Sequence, residues 1–134
     1  RAKLRAAHDA FYSAGASVIL SSSYQTGPRT DAVRLAASVE LALDARDAAT
    51  RPNAEAWISL GPYGATLADG SEYRGDYSVG EAELREWHAA RLLAVTEVAD
   101  RDATRRPADG LAFETLPSMA EVRAILSLVY EQRW

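Results

Sequence analysis

The sequence predicts an α/β fold in which parallel strands alternate with helices, and two observations support this prediction. Three short apolar segments lie at residues 17–21, 56–60 and 109–113. The longer segments between them carry apolar residues at helical spacing. Strands joined by amphipathic helices pair in parallel through right-handed crossovers, and short continuous apolar strands are typical of a sheet covered on both faces.

The first half of the chain is predicted to begin with a helix that ends at Gly15. The residues on its inward face are predicted to be Leu4, Ala7, Phe11 and Ala14. After the first strand, Thr30 is placed to cap a second helix. The buried face of this helix is predicted from the spacing of Leu35, Val39, Ala42 and Leu43. Its solvated face is indicated by Asp44, Arg46 and Asp47.

The second half contains two S-x-x-E segments with the spacing of a capping box, in which each side chain satisfies the other's free backbone N–H. Ser78 and Glu81 are predicted to start one helix. Its inward-facing residues are Leu84, Trp87, Leu92 and Val95. Ser118 and Glu121 are predicted to start the last helix. Its apolar residues are Met119, Val122, Ile125, Leu126 and Val129.

The predicted order of elements is helix, strand, helix, strand, helix, strand, helix. Three parallel strands with four helices form a thin sheet for an independent domain. They fit better as consecutive βα units of a (β/α)8 barrel, which typically needs about 250 residues. A small doubly wound fold is the alternative. In both architectures ligands bind at the carboxyl ends of the strands.

Polar residues follow each predicted strand, and together they define a candidate binding site. The second strand leads into an unusually long loop, residues 61–77, which combines glycine, aromatic and acidic residues. Long loops of this kind are uncommon unless they bind or cover a ligand. The candidate substrate-binding residues are Ser23, Tyr24, Gln25, Gly61, Tyr63, Glu114 and Thr115.

The composition excludes several classes of protein. The 134 residues carry a net charge of −4, which offers no basic face to nucleic acid. No apolar run approaches the roughly 20 residues that span a bilayer, and no signal-peptide pattern opens the chain. We therefore expect neither a nucleic-acid nor a membrane partner, and a cytoplasmic location. The chain starts without methionine inside a predicted helix, so we expect it to be part of a larger protein.

Four stretches resemble the homocysteine S-methyltransferase family. They are AGASVILSSSYQ (residues 14–25), SVELALDARDA (38–48), SLGPYGATLADGSEYRGDY (59–77) and LAFETLPSMAE (111–121). The resemblance implies that residues 1–134 are an incomplete homocysteine-binding (β/α)8 barrel domain. It also implies small-molecule substrates: a methyl group moves from S-methylmethionine or S-adenosylmethionine to homocysteine, giving methionine. Zinc on three cysteine thiolates would bind the homocysteine sulfur as a thiolate.

The resemblance also implies roles for individual residues. Glu114 matches a glutamate that contacts homocysteine, and Gln25 matches a polar residue on the substrate side. Tyr24 offers an aromatic wall beside a sulfonium. The chain has no cysteine to bind the expected zinc, so we expect it to be inactive alone. A non-catalytic small-molecule-binding remnant and a different barrel enzyme remain alternatives.

Each candidate also has a structural interpretation. Glu114 would serve as a structural hydrogen-bond acceptor, Tyr24 would only end its strand, and Gly64 would only shape its loop. Within the long loop, an ion-pair network of Glu72 and Asp76 with Arg74 is predicted. The two histidines, His8 and His88, are interpreted as helix-face residues, and Trp57 and Trp87 as packing residues.

Overall fold

The computed structural model describes residues 1–28, 31–99 and 102–132. Three strands form one parallel sheet in the order β1–β2–β3. The elements in chain order are α1 (Ala2–Ser13), β1 (Val18–Leu20), α2 (Ala32–Ala48), β2 (Glu55–Leu60), a 3-10 turn (Tyr63–Thr66), α3 (Ser71–Arg74), α4 (Glu81–Ala99), β3 (Gly110–Phe113) and α5 (Met119–Gln132). The predicted α/β class with three parallel strands is confirmed, and each strand lies within two residues of its predicted bounds.

The helices pack against one face of the sheet. That face carries Ile19 of β1 and alternate residues of β2, Ala56, Ile58 and Leu60, all 4% exposed or less. The core that covers it consists of Tyr12 of α1, Leu35, Val39, Ala42 and Leu43 of α2, Leu92, Val95 and Val98 of α4, and Leu128 of α5. The predicted buried face of α2 is confirmed in full.

The other face of the sheet is open in the described part of the chain. Val18 and Leu20 lie on it and remain 44% and 43% exposed. The prediction of a sheet covered on both faces therefore holds for only one face. In a closed (β/α)8 barrel, side chains from the other strands cover the inner face of the sheet. Three strands alone supply too few side chains, so this face stays exposed.

The buried face of α1 differs from the prediction. Phe11 is 62% exposed, whereas His8 and Tyr12 are buried. The Tyr12 hydroxyl donates to the backbone oxygen of Glu55 at 2.7 Å, and this polar contact holds the Tyr12 side of α1 against β2. Gly15 follows the helix with φ +105°, a left-handed conformation suited to glycine, as its predicted role as helix terminator requires.

The helix starts also differ in part. The capping box at Ser78 and Glu81 is wrong: α4 begins at Glu81, and the backbone N–H of Gly80 donates to Glu83 Oε2 at 3.1 Å. Only one of the two capping-box bonds therefore forms, and it lies two residues further along the chain. Thr30, the predicted cap of α2, lies outside the described residues, and Asp31 occupies the N-cap position.

At α5, only half of the predicted capping box forms. The Glu121 backbone N–H donates to Ser118 Oγ at 3.4 Å, while the Glu121 carboxylate turns into the protein interior. Met119 and Leu126 of the predicted apolar stripe are 66% and 50% exposed, so that stripe is narrower than the spacing indicates.

Arg46 is buried, not solvated as predicted, with 3% of its surface exposed. Its guanidinium donates to the backbone oxygens of Arg106 and Pro107 and to Asp109 Oδ2. Asp47 pairs with both Arg46 and Arg105, and Asp44 pairs with Arg105. The charged connection before β3 is thereby fastened to α2. Among the described residues, no helix has the length and apolarity needed to cross a membrane.

Candidate functional site

The carboxyl ends of the three strands are joined by a chain of polar contacts. Ser23 Oγ donates to the backbone oxygen of Ser59 at 2.7 Å. The Ser59 hydroxyl in turn donates to Glu114 Oε1. Because Ser23, Ser59 and Glu114 follow or end β1, β2 and β3, the structure brings the predicted strand-end residues together.

Glu114 leaves β3 in register with β2, since its backbone N–H still donates to the Leu60 oxygen at 3.2 Å. Its side chain is half-buried, and the Ser59 hydroxyl engages one of its two carboxylate oxygens. A carboxylate with one oxygen held by the protein and the other available is suited to accept a hydrogen bond from a cationic ligand group.

Thr115, directly after Glu114, is exposed and has φ +56°. This left-handed conformation is unfavourable for a β-branched residue and costs of order 1–3 kcal/mol. Such strain is concentrated at functional sites, where the surrounding structure holds it in place. The chain thus turns sharply immediately after the carboxylate that the sequence singled out.

Tyr24 and Gly61 are in close contact. A Cβ atom at Gly61 would lie 2.7 Å from Tyr24 ring atoms, so only glycine permits this approach. Gln25 is exposed. Tyr24 and Gln25 line a shallow cleft of about 370 Å³ at the start of α2, which Glu114 does not line. The structure therefore joins Tyr24 to the strand-end chain through Gly61 but leaves Gln25 at its outer margin.

Tyr63 enters the site through its backbone, while its ring turns toward α4. The ring makes edge contacts with Trp87 and Tyr77, at centroid distances of 5.5 and 5.7 Å. Its ring also lines a cleft of about 500 Å³ together with Trp87 and Glu86. Tyr63 thus lies at the same end of the sheet as Glu114, but its ring belongs to an aromatic cluster beside α4.

The long loop is ordered by close packing and one ion pair. Arg74 Nε and Asp76 Oδ2 are 2.9 Å apart, which confirms that part of the predicted network. Glu72 is buried and forms no ion pair within the described ranges, so its inclusion was wrong. A Cβ atom at Gly64 would lie 2.6 Å from the Tyr77 ring and 2.7 Å from the Glu72 nitrogen, which supports the structural interpretation of Gly64.

Sequence reasoning missed three buried polar residues beneath the strand ends: His88, Arg91 and Glu121. Each is fully buried, with 0% of its surface exposed. Glu121 Oε1 accepts from the Tyr63 backbone N–H at 2.6 Å and lies 2.8 Å from His88 Nε2. Because a carboxylate only accepts, Nε2 is the protonated nitrogen of the ring.

Arg91 joins the segments that follow β1 and β2. Nη1 donates to the Gly61 oxygen at 2.7 Å, and Nη2 donates to the oxygens of Ser23 and Tyr24 at 2.6 and 3.0 Å. The guanidinium carbon lies 5.1 Å from the centroid of the Trp87 ring. The signal that predicts its burial is helical spacing, because residues 84, 88, 91 and 95 share one face of α4.

The buried cluster has unusual protonation properties. Burial, opposed by the charge of Glu121, lowers the pKa of Arg91 to about 10, so it remains charged at neutral pH. Burial also lowers the pKa of His88, again against Glu121, and keeps the imidazole neutral. Burial, followed by the charge of Glu121, raises the pKa of the Tyr77 hydroxyl well above its ordinary value.

The fold defines a class of protein: parallel βα units of a barrel, here with polar side chains joined at the carboxyl ends of the strands. The homocysteine S-methyltransferase family profile matches residues 1–133. The chain belongs to this family.

Two curated relatives carry the same name. The homocysteine S-methyltransferase YbgG of Bacillus subtilis is 36% identical over 96% of this chain and 44% of its own length. The homocysteine S-methyltransferase of Escherichia coli is 38% identical over 94% of this chain and 43% of its own length. The chain thus spans less than half the length of the curated relatives it matches.

Solved structures of the Escherichia coli homocysteine methyltransferase MmuM share the fold. Its oxidized form superposes with a TM-score of 0.80 at 37% identity, covering 97% of this chain and 47% of that protein. Its metallated form gives a TM-score of 0.79 at 38% identity, covering 96% and 47%. These matches confirm the predicted part of a (β/α)8 barrel.

The described residues do not provide a metal site. They contain no group of three or more histidine, cysteine, aspartate or glutamate side chains placed to hold an ion. The full sequence also lacks cysteine. The residues present therefore do not fit the metal that the family implies.

Proposed function

We propose that the full-length protein transfers a methyl group from a sulfonium donor to homocysteine, giving methionine. In this proposal residues 1–134 are part of a homocysteine-binding (β/α)8 barrel domain and contribute one side of the substrate pocket. The observation that carries the proposal is the Glu114 carboxylate, oriented by Ser59 at the joined strand ends of a chain that belongs to this family.

Glu114 is proposed to bind the ammonium group of homocysteine. Since Ser59 occupies Oε1, the substrate ammonium would donate to Oε2, and the half-buried setting would strengthen that charge-assisted contact. The Ser59 hydroxyl orients this carboxylate, and the chain turns directly after it at Thr115. Glu114 would thereby hold the amino-acid end of the substrate and leave its sulfur free to react.

Tyr24 is proposed to face the sulfonium donor. A sulfonium cation is attracted to the face of an aromatic ring, and Tyr24 is held in place by its contact with Gly61. After transfer, the donor leaves as a neutral thioether, which no longer has this attraction and departs without an acid. Both S-methylmethionine and S-adenosylmethionine have the required charge.

The metal is proposed to be zinc. Because the residues described here do not fit a metal, its ligands would have to come from outside this sequence. The part of the reaction assigned to this chain is restricted to substrate binding and orientation.

The test uses the full-length protein with homocysteine and each sulfonium donor in turn, with methionine formation as the measurement. We expect transfer from at least one donor. We further expect Glu114→Gln to weaken homocysteine binding, measured by calorimetry, by about tenfold or more through loss of a charge-assisted contact, with metal content unchanged. Glu97→Gln, an exposed carboxylate on α4, is the matched control.

Two outcomes would contradict the proposal. A metal-loaded protein that binds homocysteine but transfers no methyl group from either donor would be a binding protein. Unaltered homocysteine affinity in Glu114→Gln would remove this residue from the pocket.

A further inference from the structure

Arg91 has three hydrogen-bond acceptors that are unusual for a buried cation. All are backbone oxygens, those of Ser23, Tyr24 and Gly61, and all lie in the segments that follow β1 and β2. Within the described ranges, no carboxylate forms an ion pair with Arg91. Burying a charge fully is unfavourable unless hydrogen bonds from the protein replace those to water. The complete burial of Arg91 therefore needs an explanation.

The geometry of the guanidinium supplies that explanation. Its planar fork projects Nη1 toward one segment and Nη2 toward the other, so one side chain fixes their relative position. A lysine ammonium is a single point of charge and cannot reproduce both directions. The Trp87 ring, 5.1 Å from the guanidinium carbon, supports the group from one side.

The relative position of these segments matters because the site residues are in close contact. Tyr24 packs on Gly61 so tightly that a methyl group would not fit between them. Ser23 binds the Ser59 oxygen, and the Ser59 hydroxyl binds Glu114. A shift between the ends of β1 and β2 would therefore move Tyr24 and, through Ser59, the Glu114 carboxylate.

We propose that Arg91 is a positioning residue for substrate binding, acting through Tyr24, Gly61 and Ser59 without touching the substrate itself. This inference rests on the proposed function, because the ligand it concerns is homocysteine and its sulfonium donor. Glu121 of α5, which follows β3, holds the segment after β2 from its other side, since its carboxylate accepts from the Tyr63 backbone N–H beside His88.

The experiment compares Arg91→Lys with Arg85→Lys in the full-length protein. Arg85 lies on the same helix but is 39% exposed and bonded to Ser127 and Glu131 at the surface. We expect Arg91→Lys to raise the KM for homocysteine and its calorimetric Kd by about tenfold or more, since sub-ångström misplacement of binding groups is costly. We expect Arg85→Lys to change neither quantity.

A crystal structure of Arg91→Lys gives a readout that does not depend on activity, with displacement of Tyr24 relative to Gly61 expected. If Arg91→Lys does not fold, Gly61→Ala tests the same contact from the other side and is expected to raise the same KM. A folded Arg91→Lys with unchanged KM and Kd would overturn the inference, as would an unaffected Gly61→Ala.

These outcomes are distinct from failure of the proposed function. A wild-type protein that does not bind homocysteine contradicts the proposed function itself. A wild-type protein that binds homocysteine, together with an Arg91→Lys variant that binds it equally well, contradicts the role of Arg91 alone.

Discussion

Two buried arginines hold opposite ends of the same sheet, and they do so differently. Arg46 fastens the chain entering β3, with Asp47 and Asp109 as carboxylate partners beside two backbone oxygens. Arg91 fastens the segments leaving β1 and β2 and binds only backbone oxygens. The amino end is thus stabilised by paired charges, whereas the carboxyl end holds a charge on backbone dipoles next to the candidate site.

The difference indicates a division between stability and function. At the amino end, the carboxylates of Asp47 and Asp109 neutralise Arg46. This cluster only has to hold the connection before β3 in place. At the carboxyl ends, the Glu121 carboxylate favours the charged form of Arg91 but is hydrogen-bonded to Tyr63 and His88, which leaves the guanidinium to the backbone oxygens. Strand-end loops of a barrel carry binding residues, while the opposite face serves stability, and the two arginines follow this division.

The largest effect is expected from Arg46→Met. Removing the guanidinium leaves Asp109, 14% exposed, without its buried partner, and leaves the oxygens of Arg106 and Pro107 without their donor. The free energy of unfolding should fall by about 3 kcal/mol, as for other broken buried pairs. Urea unfolding of the full-length protein measures this loss.

The matched control is Arg123→Met, which removes a surface pair with Glu81 and should cost less than about 1 kcal/mol. The KM for homocysteine should stay the same in Arg46→Met. A rise in the KM of Arg46→Met comparable to that expected for Arg91→Lys would contradict the division of stability and binding between the two ends of the sheet.

The next effect concerns pH and the cluster at the carboxyl end. Burial, opposed by Glu121, lowers the pKa of His88 below its ordinary value of 6.5. The unfolded chain therefore takes up a proton at this position at a higher pH than the folded protein does. The contribution of His88 to the free energy of unfolding is fully present above pH 6.5 and decreases as the pH falls below it. His88→Gln keeps a donor toward Glu121 but does not titrate, and should make stability less dependent on pH.

Urea unfolding between pH 7.5 and 5.5 provides the measurement. His8 is also buried with a pKa lowered chiefly by burial, so His8→Gln serves as the comparison and should remove a separate part of the slope. An identical pH dependence in wild type and His88→Gln would mean that the imidazole at residue 88 is not held neutral.

The smallest effect is expected from glycine at two of the three non-glycine residues with positive φ in the described chain, chosen because they lie near opposite ends of the sheet. Thr115, after β3, has φ +56°, and Asn53, before β2, has φ +63°. Thr115→Gly should stabilise the protein by about 1 kcal/mol by relieving strain, and should weaken homocysteine binding because Glu114 is less firmly directed. Thermal unfolding and calorimetry measure the two effects.

Asn53→Gly should change stability by only a few tenths of a kcal/mol, because asparagine tolerates this conformation. Equal stability changes in the two glycine variants would show that Thr115 stores no strain.

Much of the fold follows from the sequence because apolar runs and helical spacing directly report burial. The strands, the buried face of α2 and the convergence of Ser23, Tyr24, Gly61 and Glu114 were all predictable in this way. The errors arise where polar side chains are buried. Arg46 stands in a charged segment typical of a solvated helix face. It is buried because the backbone oxygens of residues 106 and 107 and the Asp109 carboxylate, all distant along the chain, accept its hydrogen bonds.

Glu121 shows the same limit at the site. Its S-x-x-E spacing describes a local capping partner, yet its carboxylate binds Tyr63 and His88 from other elements. Local spacing does not reveal which of two hydrogen-bond partners wins, because the competing donors are brought near only by the folded chain. The aromatic contacts of Tyr63 with Trp87 were unpredictable for the same reason.

The order of the sheet has a consequence for how the chain acquires its structure. Each strand pairs with the strand made just before it, β2 with β1 and β3 with β2. During translation, each new strand can therefore pair with the exposed edge of a strand that has already left the ribosome. The strand pairing described here can thus form in the direction of synthesis, without waiting for a distant segment.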